Sequence, residues 1–95
     1  MMLFWSPEAI RDLVSLRAYI AQDDPRAAQR MALHVVRNVE TLFSENPSMG
    51  RPGRVPGTRE LVIPKTPFVV PYRVQAGKIQ ILRVYHGARR WPETF

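Results

Sequence analysis

The 95-residue chain contains no cysteine, which excludes disulfides and thiolate-bound metal and fits a reducing compartment. No apolar run approaches the length of about 20 residues that a bilayer requires. The opening Met-Met-Leu-Phe-Trp-Ser-Pro-Glu reaches an acid at Glu8 without a basic segment followed by an apolar one, so it is not a signal peptide. A cytoplasmic protein that meets no membrane is the expectation. Also missing are a glycine-rich phosphate loop, a Ser/His/Asp set and any cluster at metal-ligating spacing. Neither a cofactor nor a metal is therefore expected. Lysine is nearly absent: Lys65 and Lys78 stand beside twelve arginines, a bias that favours specific oxyanion contacts over diffuse solubility.

Acids become scarce past the middle of the chain. Residues 1–46 hold five arginines against six acids, whereas residues 47–95 hold nine basic residues against only Glu60 and Glu93. The second half thus carries a positive field suited to nucleic acid, an acidic protein, or both in turn. Apolar residues make up 45% of the chain, enough to fold one small domain over residues 1–95 with a modest core.

Met2 to Trp5 reads as a short first strand, with Trp5 as a packing anchor. Ser6-Pro7-Glu8 then spells a helix start: a hydroxyl cap, proline at the first helical position and an acid in the first turn. Ile10, Leu13, Val14, Arg17 and Ile20 follow at helical spacing, and the helix should end near Gln22. Asp24-Pro25 repeats the grammar. Ala28, Met31, Val35, Val39, Leu42 and Phe43 keep one apolar stripe until Asn46-Pro47 stops the second helix. So short a connection forces an antiparallel helix hairpin. His34, beside the stripe, has no ligand partner at metal spacing and reads as a partly exposed helix residue.

Residues 47–57 hold three prolines and three glycines, a loop that displays Arg51 and Arg54. Thr58–Ile63, Phe68–Gln75 and Lys78–Tyr85 read as three strands, with Ala76-Gly77 as a tight hairpin turn. In the middle strand Phe68, Val70, Tyr72 and Val74 share one face, and Val69, Pro71 and Arg73 the other. Pro71 cannot donate to a ladder, so an interruption or an edge is expected there. The predicted order is β-α-α-β-β-β, an α+β fold with the helix hairpin packed on a mainly antiparallel sheet.

The last strand runs into His86-Gly87 and then Arg89, Arg90 and Trp91. Paired guanidiniums can fork onto phosphate or carboxylate, and an indole offers a flat face. The plain alternative is a solvated basic tail. Arg73 and Arg83 could pair with Glu60 across the sheet or face a partner. Glu60 reads as a structural ion-pair member before a general base, and Tyr72 as a core residue with its hydroxyl at the edge.

Several segments in order give the chain a family likeness: Trp5-Ser-Pro-Glu-Ala-Ile-Arg-Asp-Leu, the helix hairpin, Pro47-Ser-Met-Gly-Arg-Pro-Gly, Gly57-Thr-Arg-Glu-Leu-Val, Pro71-Tyr-Arg-Val, and Ile81-Leu-Arg-Val-Tyr-His-Gly-Ala-Arg-Arg-Trp. Together they resemble the RelE/ParE toxins of bacterial type II toxin–antitoxin modules. The resemblance implies the same fold, growth inhibition, and an acidic or ribbon-helix-helix antitoxin whose extended segment wraps the toxin. It implies an antitoxin groove between hairpin and sheet that includes Leu13, Arg17, Leu42, Arg73 and Arg83.

The family divides over its target. RelE-like members cut mRNA on the ribosome, and ParE-like members inhibit DNA gyrase. RNA cleavage needs a base, an acid and cations for the developing charge. The RelE-like branch places cations on its strands; here Arg59 and Arg89 match, but Leu61 and Val69 stand where others belong, and Phe95 replaces a C-terminal Tyr. The His86-x-x-Arg89 pattern also fits the ParE-like branch. The resemblance therefore implies a ParE-like gyrase inhibitor that contacts its target through Arg51, Arg54, Arg59, Arg89, Arg90 and Trp91. The alternative is a metal-independent, ribosome-dependent mRNA endonuclease using His86, Arg59 and Arg89. A third reading is a non-toxic basic nucleic-acid-binding module.

Overall fold

Both helices begin where a capping side chain precedes a proline. In the computed structural model, which describes residues 1–95, α1 spans Pro7–Ala21 and α2 spans Pro25–Ser44. Ser6 Oγ accepts the Ala9 amide at 3.0 Å, and Asp24 Oδ1 accepts those of Arg26 and Ala27 at 3.1 Å. Each proline sits where its missing N–H would have had no helical partner. The two helices pack as an antiparallel pair on one face of a sheet.

That sheet has six strands: β1 (Met2–Trp5), β2 (Arg51–Pro52), β3 (Arg59–Val62), β4 (Phe68–Gln75), β5 (Lys78–Ile81) and β6 (Tyr85–His86). Their order is β1-β5-β4-β3-β2, with β6 also paired to β4. Only β1 runs parallel to its neighbour β5; the other pairs are antiparallel. Ala76 and Gly77 both take left-handed backbone angles, φ 52° and 73°, and close the β4–β5 hairpin with the twist a two-residue turn requires.

Two strand expectations need correction. The loop over residues 47–57 carries a short strand of its own, with Arg51 opposite Glu60 and Pro52 opposite Arg59. And the single strand expected over Lys78–Tyr85 is two, because Leu82–Val84 leaves the ladder. The cause lies on the neighbouring strand. β5 pairs as far as Ile81 opposite Tyr72, and β6 resumes with Tyr85 opposite Val69. Pro71 stands in the interval and has no N–H to give to that side. Only its carbonyl takes part, accepting the Leu82 amide at 3.0 Å.

Side chains of α1 fill the interval. Asp12 accepts the Val84 amide at 3.0 Å and holds Arg83 with a forked pair at 2.7 and 2.9 Å. Ser6 Oγ donates to the Leu82 carbonyl at 2.8 Å while capping α1. The Arg83 guanidinium is held above its ordinary pKa, first by the hydrogen bond to Asp12 and against partial burial.

The core lies between hairpin and sheet. Ala9, Val35, Val39 and Leu42 from the helices meet Leu61, Val70, Tyr72, Ile79 and Ile81 from the strands. Leu3, Trp5, Leu13, Leu16 and Phe68 pack at its margin, so Trp5 is an anchor as expected. Tyr72 is wholly buried, and its hydroxyl donates to the Pro47 carbonyl at 2.7 Å and accepts the Gly50 amide at 2.9 Å. Only glycine fits at 50, since a Cβ there would lie 2.5 Å from that hydroxyl.

Burial raises the Tyr72 pKa above 10.0, outweighing the hydrogen bond from Gly50 and the charge of Arg59. A raised phenol pKa means that the neutral form is the one the fold stabilises. That contribution is complete below the unfolded value and is lost as pH rises through the folded one. Tyr72→Phe is expected to cost about 1–3 kcal/mol in urea unfolding at neutral pH by orphaning two buried backbone groups. It should also flatten the loss of stability that wild type shows above pH 10, the unperturbed value. An unchanged alkaline slope would remove Tyr72 from that account.

Candidate functional site

Alternation along the strands sends half of the sheet's side chains away from the helices. On this back face stand Glu60 and Val62 of β3, Val69, Pro71 and Arg73 of β4, and Tyr85 of β6. The C-terminal segment crosses it. Trp91 meets the Tyr85 ring edge-on at 5.1 Å between centroids, and Phe95 lies at 6.1 Å. The Arg54 guanidinium covers Trp91 at 4.0 Å, and those of Arg83 and Arg89 sit 4.7 and 4.5 Å from the Tyr85 ring centre. Such cation–π contacts contribute on the order of 0.5–1 kcal/mol each at exposed sites. The indole Nε1 is buried without a protein partner.

Glu60 organises the loop above this cluster. Its side chain is 1% exposed. Oε1 accepts both Nε and Nη2 of Arg51, at 3.1 and 2.9 Å, and Oε2 accepts the Arg54 amide at 2.7 Å. Arg54 Nε lies 3.5 Å from Oε2, and its Nη1 donates to the Gly87 carbonyl at 3.1 Å. Glu60 therefore ties loop, sheet and tail together. The cross-sheet pairs with Arg73 or Arg83 are corrected: Arg83 belongs to Asp12, and Glu60 to Arg51 and Arg54.

Arg51 and Arg54 are thus partly spent on the fold. Arg59 is spent too, because its Nη1 donates to the carbonyls of Ser48 and Gly50 at 3.2 and 2.9 Å. Arg89 leans on Tyr85, while Arg90 is exposed with no side-chain partner. The flat face of Trp91 is not open, since Arg54 occupies it.

His86 is exposed, its Nδ1 accepts the Ala88 amide at 3.1 Å, and its ring meets Phe68 edge-on. It shares a cleft of about 550 Å³ with Arg89, Asp12, Ser15, Tyr19 and Phe68. Arg59 is not part of it. His86 stands opposite Phe68 and Arg59 opposite Tyr72, on different sides of β4. Four residues along a strand separate them by about 13 Å. The set His86, Arg59 and Arg89 is therefore not brought together. Nothing local in the sequence marked Tyr19 or Asp12 as neighbours of His86, because those contacts join residues about seventy positions apart.

The expected antitoxin groove also needs correction. Leu42 is wholly buried and Leu13 packs at the core margin, so neither is free to line a groove between hairpin and sheet. The large hydrophobic residues that the hairpin does expose are Ile10 (50%), Val14 (62%), Tyr19 (71%), Leu33 (44%) and Phe43 (53%), with Arg17 exposed beside them on α1. Arg73 instead lines a back-face groove of about 500 Å³ with Phe4, Trp5, Lys78 and Gln80. His34 is half-buried, and its Nε2 lies 2.8 Å from the Pro64 carbonyl, a structural tie.

Comparison with known proteins now decides the family. Residues 3–91 match the family described as the ParE toxin of the type II toxin–antitoxin system parDE. The chain belongs to the ParE toxin family. Among its relatives is the Sinorhizobium fredii protein Y4kP, 42% identical over 95% of this chain and 92% of its own length. The toxin RelE2 of Caulobacter vibrioides is 39% identical, covering 90% of this chain and 93% of the relative. The solved structure of a chromosomal ParDE system from P. aeruginosa superposes with a TM-score of 0.82 at 35% identity, covering 90% of this chain and 95% of that one. The chain is a type II toxin with the α+β fold of that family, and a type II toxin has a cognate antitoxin as partner. No helix is long and apolar enough to cross a membrane.

The toxin's back-face cluster has a measurable signature. Glu60→Ala leaves Arg51 and the Arg54 amide without their acceptor. Both guanidiniums are about half-exposed, so water recovers part of the loss, and the cost should be about 2 kcal/mol, below that of a fully buried pair. Trp91 fluorescence should change with it as Arg54 loses its anchor. Unaltered emission would show that Arg54 holds its place without Glu60.

Proposed function

We propose that this toxin acts by binding DNA gyrase rather than by cutting RNA. One observation carries the reading: the positions at which a nuclease of this fold needs cations are apolar and buried, at Leu61 and Val69, while Arg59 is turned onto backbone carbonyls some 13 Å along the strand from His86. An apolar side chain cannot neutralise a phosphate in the transition state. The surface offered to gyrase is the tail and the loop beside it, with Arg90 free, Arg89 resting on Tyr85, and Arg51, Arg54, Arg59 and Trp91 as their support. The antitoxin covers the exposed apolar residues of the hairpin, Ile10, Val14, Leu33 and Phe43, together with Arg17.

A second reading is favoured by the cleft that unites His86, Arg89, Tyr19 and Asp12. An imidazole beside a guanidinium suits acid–base chemistry on a ribose–phosphate link, so ribosome-dependent mRNA cleavage is the alternative.

A supercoiling assay with purified gyrase separates the two. Inhibition relieved by the antitoxin is expected. The double variant Arg89→Ala/Arg90→Ala should need about 10–100 times more protein for half-inhibition, as loss of charge-assisted contacts predicts. No inhibition by the folded toxin, with mRNA cleavage on ribosomes abolished by His86→Ala, would move the function to the second reading.

A further inference from the structure

Folding engages much of the basic second half. In the second half of the chain Arg51, Arg54, Arg59, Arg83 and Arg89 all hold a carboxylate, a carbonyl or an aromatic ring. Arg90 of the tail stays free, but the longest row of free cations lies in the less basic first half. On α2, Arg26, Arg30 and Arg37 are exposed, and no side-chain hydrogen bond, ion pair or ring contact occupies any of them. At helical spacing they fall within one narrow stripe opposite the buried residues Ala28, Val35, Val39 and Leu42. From Pro25 to Val39 the helix contains no acid; Asp24 caps its start, and Glu40 follows Arg37 by three residues. A fourth free cation joins this side of the molecule. The bond between His34 and the Pro64 carbonyl holds the β3–β4 turn against α2, and that turn displays Lys65, exposed and fixed at φ 62°. Arg30 and Arg37 flank Leu33 and His34 in a shallow cleft of about 370 Å³.

We propose that the outer face of α2, through Arg26, Arg30, Arg37 and Lys65, is a contact surface for the phosphate backbone of duplex DNA, separate from the tail and from Ile10, Val14 and Phe43 of the hairpin, with Leu33 at its edge. The helical rise spaces the arginines about 6 and 10.5 Å apart in a row, so long side chains can follow successive phosphates along a strand. Single-stranded nucleic acid fits this face less well, since stacking needs aromatic rings and the stretch from Pro25 to Leu42 has no Phe, Tyr or Trp. An acidic peptide fits less well too: the face is convex, and Leu33 is the single large apolar side chain exposed along that stretch. Binding through phosphates alone is independent of sequence and carries a salt slope set by the number of ion pairs. The surface does not depend on which target the toxin poisons.

Titrating the full-length toxin against a short random-sequence DNA duplex at a series of salt concentrations tests this. Four phosphate contacts predict a slope of log K on log salt of about −3 to −4. The triple variant Arg26→Gln/Arg30→Gln/Arg37→Gln should lose about three of those units and keep wild-type helicity, because these side chains hold nothing inside the fold. Arg89→Gln/Arg90→Gln should leave the slope unchanged. An unchanged slope in the triple variant, or its loss in the tail variant instead, would overturn the proposal. So would a triple variant that binds duplex normally and loses only a polyglutamate peptide, since the face would then be a protein-docking surface.

Discussion

One absent hydrogen-bond donor shapes the sheet. Pro71 sits in the middle of β4, on a central strand, where a ladder would ask it for an N–H. Because it has none, the last strand cannot continue past Ile81 in register, and three residues leave the sheet before pairing resumes at Tyr85. Buried backbone groups left open there would each cost free energy comparable to a lost hydrogen bond. Asp12 and Ser6 close them from α1, and in doing so they fix that helix over the sheet. The gap thereby docks the first helix, and the resumed strand brings Tyr85 to the back face, where the tail packs on it. A strand that ran unbroken would need neither Asp12 nor Arg83.

The second organising group is Glu60, and its effect is electrostatic as much as mechanical. A carboxylate with almost no access to water is tolerable only when its oxygens are fully engaged, and here two arginines and a backbone amide engage them. The cations that give the second half of the chain its excess charge are in this way drawn inward. The longest row that reaches solvent unpaired is a different set, carried on α2 and the β3–β4 turn. Net charge by sequence segment therefore does not tell which cations are free: two arginines near one buried acid act locally as structure as well as surface charge.

How far the sequence could be read follows from the range of each cause. Ser6-Pro7 and Asp24-Pro25 announce helix starts within three residues of the bonds they make, and Ala76-Gly77 encodes its turn in two. These were legible, and so was the order of elements. The break in the last strand was not, because its cause lies on another strand: Pro71 was visible as an interruption, but the residues that yield are Leu82–Val84. Helical spacing likewise recognised the stripe of α2 without telling which apolar residues face outward. Leu42 went inside and Phe43 outside, one position apart, as the geometry of a helix edge requires. The candidate site depended wholly on long-range partners. Asp12 for Arg83, Arg54 for Trp91 and Tyr19 near His86 have no local signal.

The same reasoning bears on the two apolar positions, Leu61 and Val69, on which the proposed function rests. Leu61 belongs to the core under the hairpin, and Val69 lies on the opposite face beneath Gly87. A lysine or arginine at either place would have to bury a charge or push apart a packed layer, and neither position offers an acid to receive it, since Glu60 is already saturated. Cations for RNA cleavage thus compete with the packing that holds this tail to this sheet. In this chain packing has won at both positions, and Arg59, the cation that remains on β3, secures the loop before β2. A scaffold committed in that way can still present an arginine-rich edge to a partner, because an edge asks only for exposure, whereas catalysis asks for several charges converging on one phosphate.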